Sequence, residues 1–271
     1  MSLTTTTPSD PVRGVGELVA LLREARARRR ISQLDLSLEL GISQRHLSFV
    51  ELGRARPSRD LLLRWLGQLD VPLPERNRAL VAAGHAPAYD DSPLGAPELA
   101  EQRAALAHLL ASHDPWPAFV IDAAWNLVAA NAGAARLFAV LGVEVAEEAN
   151  LLDLALGPLA GLIVNLPEVA ASLLEQLRAE AVHEPSLRER LALVEAAVAD
   201  LPAPTGPRFP PTLVTRYAST AGELAFLSMF TTFGTPHSVT LASLRAELMF
   251  PADDATRAVL AAEPSPQSSG S

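Results

Sequence analysis

Four side chains in the segment 44–49 have the chemistry needed to read the edges of DNA bases. Gln44 can form paired hydrogen bonds with adenine, and Arg45 can do so with guanine. Ser48 can donate or accept a hydrogen bond, and Phe49 can contact the methyl group of thymine. This spacing places all four on one side of a helix. The sequence therefore predicts a helix that enters the major groove of DNA with this side.

Residues around that helix are suited to contact phosphate groups. Gln33 and Ser43 stand at two predicted helix N-termini, where backbone N–H groups favour an anion. Arg54 and Arg56 follow in a loop and suit the DNA backbone. Phe49 has an alternative place in the core or in a dimer interface, and the residue types alone leave both interpretations open.

The segment from Ser32 to Glu51 has the pattern of the helix-turn-helix that these contacts require. Ser32 and Ser43 are suited to cap two helices, and Gly41 can adopt the positive φ of a sharp turn. The alternating leucines of 34–40 leave a strand as the alternative to the first helix. The second helix is predicted to bury Leu47, Val50 and Leu52.

Further helices over 14–30, 59–69 and 75–83 complete a five-helix, all-α domain at 13–84. It resembles the Cro/C1-type (XRE-like) helix-turn-helix domain of bacterial and phage repressors. The resemblance rests on Gln33, Leu36, Leu40-Gly41-Ile42, Leu47, Val50 and Glu51-Leu52-Gly53-Arg54. Ser37 stands where that family usually has alanine. The resemblance implies a double-stranded DNA operator as partner.

The region 98–262 is predicted to be a separate α+β domain with an antiparallel sheet of about five strands. Strands are expected at 118–121, 125–130, 213–218, 223–232 and about 241–250, with turns at 220–222 and 234–236. The segment WNLVAANAGAARLF is similar to the opening of a PAS domain. Together with PWPAFVID, LIVNLPEVAASLLEQLRAEA and YASTAGELAFLSMFTTFGTPHSVTLASLRAELMFPADD, it resembles the ligand-binding domain of MmyB-like transcription regulators. These regulators also carry a repressor-type reader at the N-terminus.

That resemblance implies a PAS-like domain that binds a small-molecule effector. Because the candidate lining is apolar, we expect a lipophilic ligand, with a fatty acid as the specific hypothesis. The apolar candidates are Phe119, Phe138, Leu177, Phe226 and Phe230, and the polar candidates are Asn131, Asn165, Arg178 and Arg216. Each apolar residue has the alternative of being ordinary core, and each polar residue that of a surface or structural group.

Charge is distributed unevenly along the 271 residues. The net charge is −9, yet residues 1–84 sum to +4 and the remainder to −13. A basic segment joined to an acidic body is typical of a DNA reader with a second domain. The chain has no cysteine, which excludes disulfides and thiolate metal sites. We expect disordered tails at 1–12 and 263–271, a linker at 85–97, no secretory signal, no membrane contact and a cytoplasmic protein.

The sequence offers no close grouping of catalytic or metal-binding residues. The six histidines are scattered, and neither HExxH nor GxSxG occurs. We therefore expect no enzyme activity, no metal and no cofactor, apart from a bound fatty acid as effector. The favoured interpretation is a ligand-responsive homodimer that binds a palindromic operator. The alternative is a DNA-binding regulator whose second domain only dimerises and has no ligand.

Overall fold

The computed structural model describes residues 11–146, 148–182, 184–204, 212–234 and 236–262. Contacts divide the chain into two compact units. One comprises the chain up to Ser92 together with Pro236–Ala242, and the other comprises Pro93–Thr235 and the chain from Ser243 onward. The predicted tails at 1–12 and 263–271 lie outside the described residues, except for residues 11 and 12. The predicted turn at 234–236 also falls partly outside them, at residue 235.

Between residues 11 and 84, the first unit contains five helices: α1 Pro11–Arg28, α2 Gln33–Leu40, α3 Gln44–Glu51, α4 Arg59–Gln68 and α5 Leu73–Ala82. Ser32, Ser43 and Ser58 begin α2, α3 and α4, and each side chain accepts the backbone N–H three residues later. Gly41 ends α2 with φ +66°. The sequence prediction of a helical pair is thus confirmed, and the strand alternative for 34–40 is wrong.

A single apolar cluster holds these helices together. Its centre contains Leu22, Leu36, Leu47 and Trp65, none of which is accessible to solvent. Burying a leucine of this kind contributes about 1.5–3 kcal/mol relative to leaving it exposed. Leu52, however, was predicted to be buried and is 54% exposed, because α3 has ended and Leu52 is its C-terminal cap.

The chain after α5 folds back onto that helix. The Asn77 side chain accepts the backbone N–H groups of Ala88 and Tyr89 and donates to the Tyr89 carbonyl. The backbone N–H of Val239 donates to the Asp90 carbonyl at 2.7 Å. Residues 85–92 of the predicted linker are therefore ordered parts of the first unit, and the boundary between the units falls inside the predicted range 85–97.

The second unit is built on one five-stranded antiparallel sheet, which confirms the predicted α+β class. Its strands are β1 Ala118–Ile121, β2 Leu127–Ala130, β3 Val214–Ser219, β4 Gly222–Thr232 and β5 Arg245–Pro251. The order across the sheet is β2-β1-β5-β4-β3. Glu247 of the central strand pairs with Phe119 on one side and with Phe230 on the other.

Helices of the second unit lie on both faces of this sheet. They are α6 Ala100–His113, α7 Ala132–Leu141, α8 Leu151–Leu156, α9 Leu166–Glu180, α10 Leu187–Val198 and α12 Asp254–Ala261, with 3₁₀ turns at Pro97–Leu99 and Ala160–Leu162. The short helix α11 Val239–Ser243 precedes β5. Strand β5 was predicted to begin near residue 241 and begins at Arg245, because α11 occupies the preceding residues.

Candidate nucleic-acid interface and ligand cavity

The exposed side of α3 presents the predicted base-reading residues. Gln44 and Arg45 are exposed, whereas Ser48 and Phe49 are half-buried. The opposite side is fixed in the core by Leu47, which is fully buried. Because a buried face determines the rotation of a helix, the polar face points outward in one defined orientation.

Arg45 and Phe49 form a pair on that exposed side. The guanidinium carbon of Arg45 lies 5.2 Å from the centre of the Phe49 ring, within the range of a cation–π contact. The ring therefore supports the arginine along the helix surface. This contact supplies a third role for Phe49, beside contact with thymine and burial in a core or dimer interface.

A buried ion pair connects α1 to the end of α3. Arg26 donates to both carboxylate oxygens of Glu51, from Nε at 2.7 Å and from Nη2 at 3.0 Å. The Glu51 side chain is only 2% exposed, and Gln33 Nε2 also donates to it at 2.8 Å. Hydrogen bonding to Glu51 raises the pKa of Arg26. The network fixes α3 relative to the helices behind it.

This network occupies part of the predicted phosphate-binding set. The Gln33 amide nitrogen donates one hydrogen bond to Glu51. Its second N–H and its amide oxygen are the groups that remain to contact DNA. The Ser43 oxygen accepts the N–H of His46, which leaves the hydroxyl proton free to donate. Arg54 and Arg56 are exposed, and neither forms an ion pair with any other described residue.

The second unit contains a cavity of about 310 Å³ between its sheet and the helices α7, α8 and α9. That volume is at the low end of the range for small-molecule sites. Aromatic and aliphatic side chains dominate the wall, among them Phe119, Trp125, Phe138, Leu173, Phe230 and Met249.

Three of the five predicted apolar ligand residues line this cavity: Phe119, Phe138 and Phe230. Leu177 and Phe226 do not. Both are fully buried within the apolar clusters that pack the sheet against the helices. This burial favours the alternative interpretation, ordinary core, for these two residues.

The two predicted asparagines hold the backbone together and do not line the cavity. Asn131 accepts the N–H groups of Ala118 and Ala134 and donates to the carbonyls of Leu110 and Trp116. All four of its hydrogen-bonding positions are used. Asn165 likewise bonds the backbone of β3 through both ends of its amide.

The two predicted arginines also lie away from the cavity. Arg178 pairs with Glu195 at 2.7 Å, and its side chain is 59% exposed. Arg216 is 48% exposed and lies 3.8 Å from Glu223. Their positive charge was the reason for predicting that they bind an acidic ligand. Both side chains instead point to solvent, because Arg178 lies on the outer face of α9 and Arg216 on the outer face of β3.

The polar groups that do line the cavity were not predicted. They include Gln176, Thr215, Tyr217, Ser228 and Glu247. Burial raises the pKa of Glu247, against the opposing effects of a hydrogen bond from Ser228 and the charge of Arg245. Burial and the nearby Glu247 charge raise the pKa of Tyr217. Strand alternation groups Arg245, Glu247 and Met249, but it does not tell which face is enclosed.

A charged clamp fixes one wall of the cavity. Glu180 accepts the indole N–H of Trp125 at 2.8 Å and a forked pair of bonds from Arg245 at 2.5 and 3.2 Å. The Arg245 guanidinium also lies 4.4 Å from the centre of the Trp125 rings. Trp125 has φ +67°, which costs a non-glycine residue about 1–3 kcal/mol. The contacts with Glu180 and Arg245 fix the indole of this residue and so help to offset the strain of its backbone.

In the part of the chain that the structure describes, no group of three or more histidine, aspartate and glutamate side chains is placed to hold a metal ion. None of the described helices is long and apolar enough to cross a membrane.

Two family models match this chain. Residues 102–262 match the MmyB-like transcription regulator ligand binding domain, and residues 22–76 match a helix-turn-helix family. The first match contains the whole sheet and the cavity, and the second contains α2, α3 and α4. No curated protein matches the chain significantly.

Proposed function

This chain belongs to the MmyB-like transcription regulators and joins a DNA-binding helix-turn-helix to a ligand-binding domain, and from that premise we propose that its effector is a fatty acid. The observation that carries the proposal is the cavity of about 310 Å³ with mainly apolar walls. An aliphatic chain gains about 0.8 kcal/mol for each methylene group that it buries in such surroundings.

The proposed effector controls the affinity for DNA. A ligand shifts a regulator between two forms only if it binds one of them more tightly. The effector therefore favours a form whose affinity for the operator differs from that of the free protein. By linkage, the operator changes the affinity for the effector by the same factor.

The regulator acts as a homodimer on a palindromic operator. Support comes from the size of the reader: α3 has eight residues and presents four candidate contacts on its outer side. Helix-turn-helix readers of this type usually bind two half-sites separated by about one helical turn of DNA. A footprint with two-fold symmetry would bear out this arrangement, and a single unpaired half-site would refute it.

The first experiment identifies a ligand in the purified protein. The protein is denatured, the organic phase is extracted, and the extract is analysed by mass spectrometry. We expect a fatty acid in near-stoichiometric amount, and a higher melting temperature when fatty acid is added to stripped protein. Recovery of no small molecule, together with no shift in melting temperature, would refute the proposal.

The competing function is a second domain that only dimerises. Met229 lies on β4 and is 60% exposed. Its apolar side chain is one that a second copy of the domain could cover. The Met229→Glu variant separates the two functions. A domain that only dimerises loses operator binding and shows no ligand, whereas the effector function predicts that ligand binding survives in the variant.

A further inference from the structure

The polar residues that line the cavity are an unusual set for an acid-binding site. Glu247 and Tyr217 are the ionisable side chains of its described lining, and both are acidic groups. No arginine, lysine or histidine is among the described residues that line it. Among the described residues of this lining, the carboxylate of a fatty acid would therefore meet another carboxyl group and no cation.

The charged groups nearest to Glu247 do not supply the missing cation. Arg245 lies two residues away on the same strand, but Glu180 of α9 accepts hydrogen bonds from both of its terminal nitrogens. Ser228 of β4 donates to Glu247, and Tyr217 of β3 lines the same cavity close enough to feel the charge of Glu247. Because Arg245 is paired with Glu180, it acts on Glu247 only through its charge, and none of the described residues that line the cavity supplies a cation for Glu247.

Two carboxylates in one low-dielectric site cannot both stay ionised without a large cost. The repulsion between them disappears when one proton bridges them, because an O–H then donates to the remaining carboxylate oxygen. Such charge-assisted O–H···O⁻ bonds are short and strong.

We propose that Glu247 and the carboxyl group of an acid ligand share a single proton, so that an acid ligand binds together with one proton from solvent. This inference rests on the proposed function. The balance is simple: the free carboxylate and ionised Glu247 bring two negative charges, one proton is taken up, and the complex keeps one negative charge. Burial, which raises the pKa of Glu247, acts in the same direction.

The test compares decanoic acid with decanol, which have the same chain length and differ in the polar group. Affinities are measured by calorimetry on stripped protein from about pH 6 to about pH 9, where the free acid is ionised. Above the pKa of Glu247, we expect the dissociation constant of decanoic acid to rise about tenfold per pH unit, as uptake of one proton requires. That of decanol stays constant.

Two variants locate the proton. In Glu247→Gln the amide donates directly to the ligand carboxylate, so decanoic acid binds with no dependence on pH. Glu223→Gln is the matched control, since Glu223 is on the neighbouring strand with its side chain half exposed and outside the cavity lining. It keeps the full slope of the wild-type protein.

The outcomes separate this inference from the function on which it rests. If both compounds bind and decanoic acid shows no dependence on pH, the shared proton is refuted and the fatty-acid effector stands. If neither compound binds at any pH, both proposals are refuted. If Glu247→Gln does not fold, the wild-type comparison of acid and alcohol still decides the matter.

Discussion

At the scale of single residues, the predicted DNA-reading surface presents one arginine supported by one aromatic ring. The Arg45 guanidinium lies over Phe49, and its side chain is otherwise exposed on α3. An arginine held in this way loses less conformational freedom when it forms a forked hydrogen bond with guanine. We therefore expect Phe49 to contribute to base reading through Arg45 even where it touches no base.

Arg45→Ala should weaken operator binding by about 1–3 kcal/mol and relax the preference at one base position. The measurement is a binding selection on randomised operators, followed by anisotropy titrations. Arg54→Ala is the control. Arg54 is exposed beyond the end of α3 and is expected to contact phosphate, so its loss should lower the affinity for all DNA sequences alike. A uniform loss for Arg45→Ala would make it a phosphate contact instead.

The buried carboxylate of Glu51 should be among the most costly to remove in the first unit. Glu51→Ala leaves the guanidinium of Arg26 without its partner, at an expected cost of about 3 kcal/mol in the free energy of unfolding. Urea unfolding followed by circular dichroism measures it. Arg29→Ala is the control: its pair with Asp70 is 52% and 72% exposed, so it costs less than about 1 kcal/mol. Equal losses would contradict the burial argument.

Residue types alone predicted the reader better than the cavity. Gln44 and Arg45 are where the sequence placed them, because a helix-turn-helix fixes its exposed face by local spacing. The polar cavity residues escaped prediction because enclosure is a tertiary property. Glutamate is usually found at the protein surface. Glu247 is enclosed only because β5 pairs with β1 on one side and with β4 on the other.

At the scale of elements, the turn between α2 and α3 sets the geometry of the reader. Gly41 has φ +66°, and an added Cβ would meet nothing within 4 Å. The constraint there is therefore one of backbone conformation and not of space. In a residue with a side chain, this left-handed conformation costs roughly 1–2 kcal/mol.

Gly41→Ala should lower the free energy of unfolding by about 1–2 kcal/mol. Gly16→Ala is the matched substitution, because Gly16 lies in α1 and its Cβ also meets nothing within 4 Å. With ordinary helical backbone, it should stabilise the unit by about 0.4–1 kcal/mol. Urea unfolding of both variants gives the comparison, and a loss of stability in both would contradict it.

Local signals also explain which elements the sequence located well. Serine caps and Gly41 marked the ends of α2 and α3, and β1 has its predicted bounds. The start of β5 was placed too early because Leu244 continues the alternation of Ala246, Leu248 and Phe250 and the strand-like run was extended back to Leu241, yet residues 239–243 form a helix. Periodicity over so few residues does not separate a short helix from a strand end.

At the scale of the whole molecule, a positively charged DNA-binding segment is joined to an acidic ligand-binding domain. The two family matches together cover most of the chain from residue 22 to residue 262. If the cavity holds the effector, then filling it should block the response without disturbing the reader.

Ala155→Phe should abolish the response to effector, because Ala155 lines the cavity and a phenyl ring would occupy space that the aliphatic chain needs. Binding of decanoic acid, measured by calorimetry, is expected to fall below detection, whereas basal operator affinity stays within about twofold of wild type. Undiminished binding of the acid would place the ligand elsewhere.

The most direct test of the account is the operator affinity of stripped protein, measured by fluorescence anisotropy with and without saturating decanoic acid. If the ligand-binding domain controls the reader, the dissociation constant should change by about 5-fold or more, the lower end of typical coupling between two sites. The Ala155→Phe variant should show no change. A wild-type operator affinity that is the same with and without bound fatty acid would contradict the account.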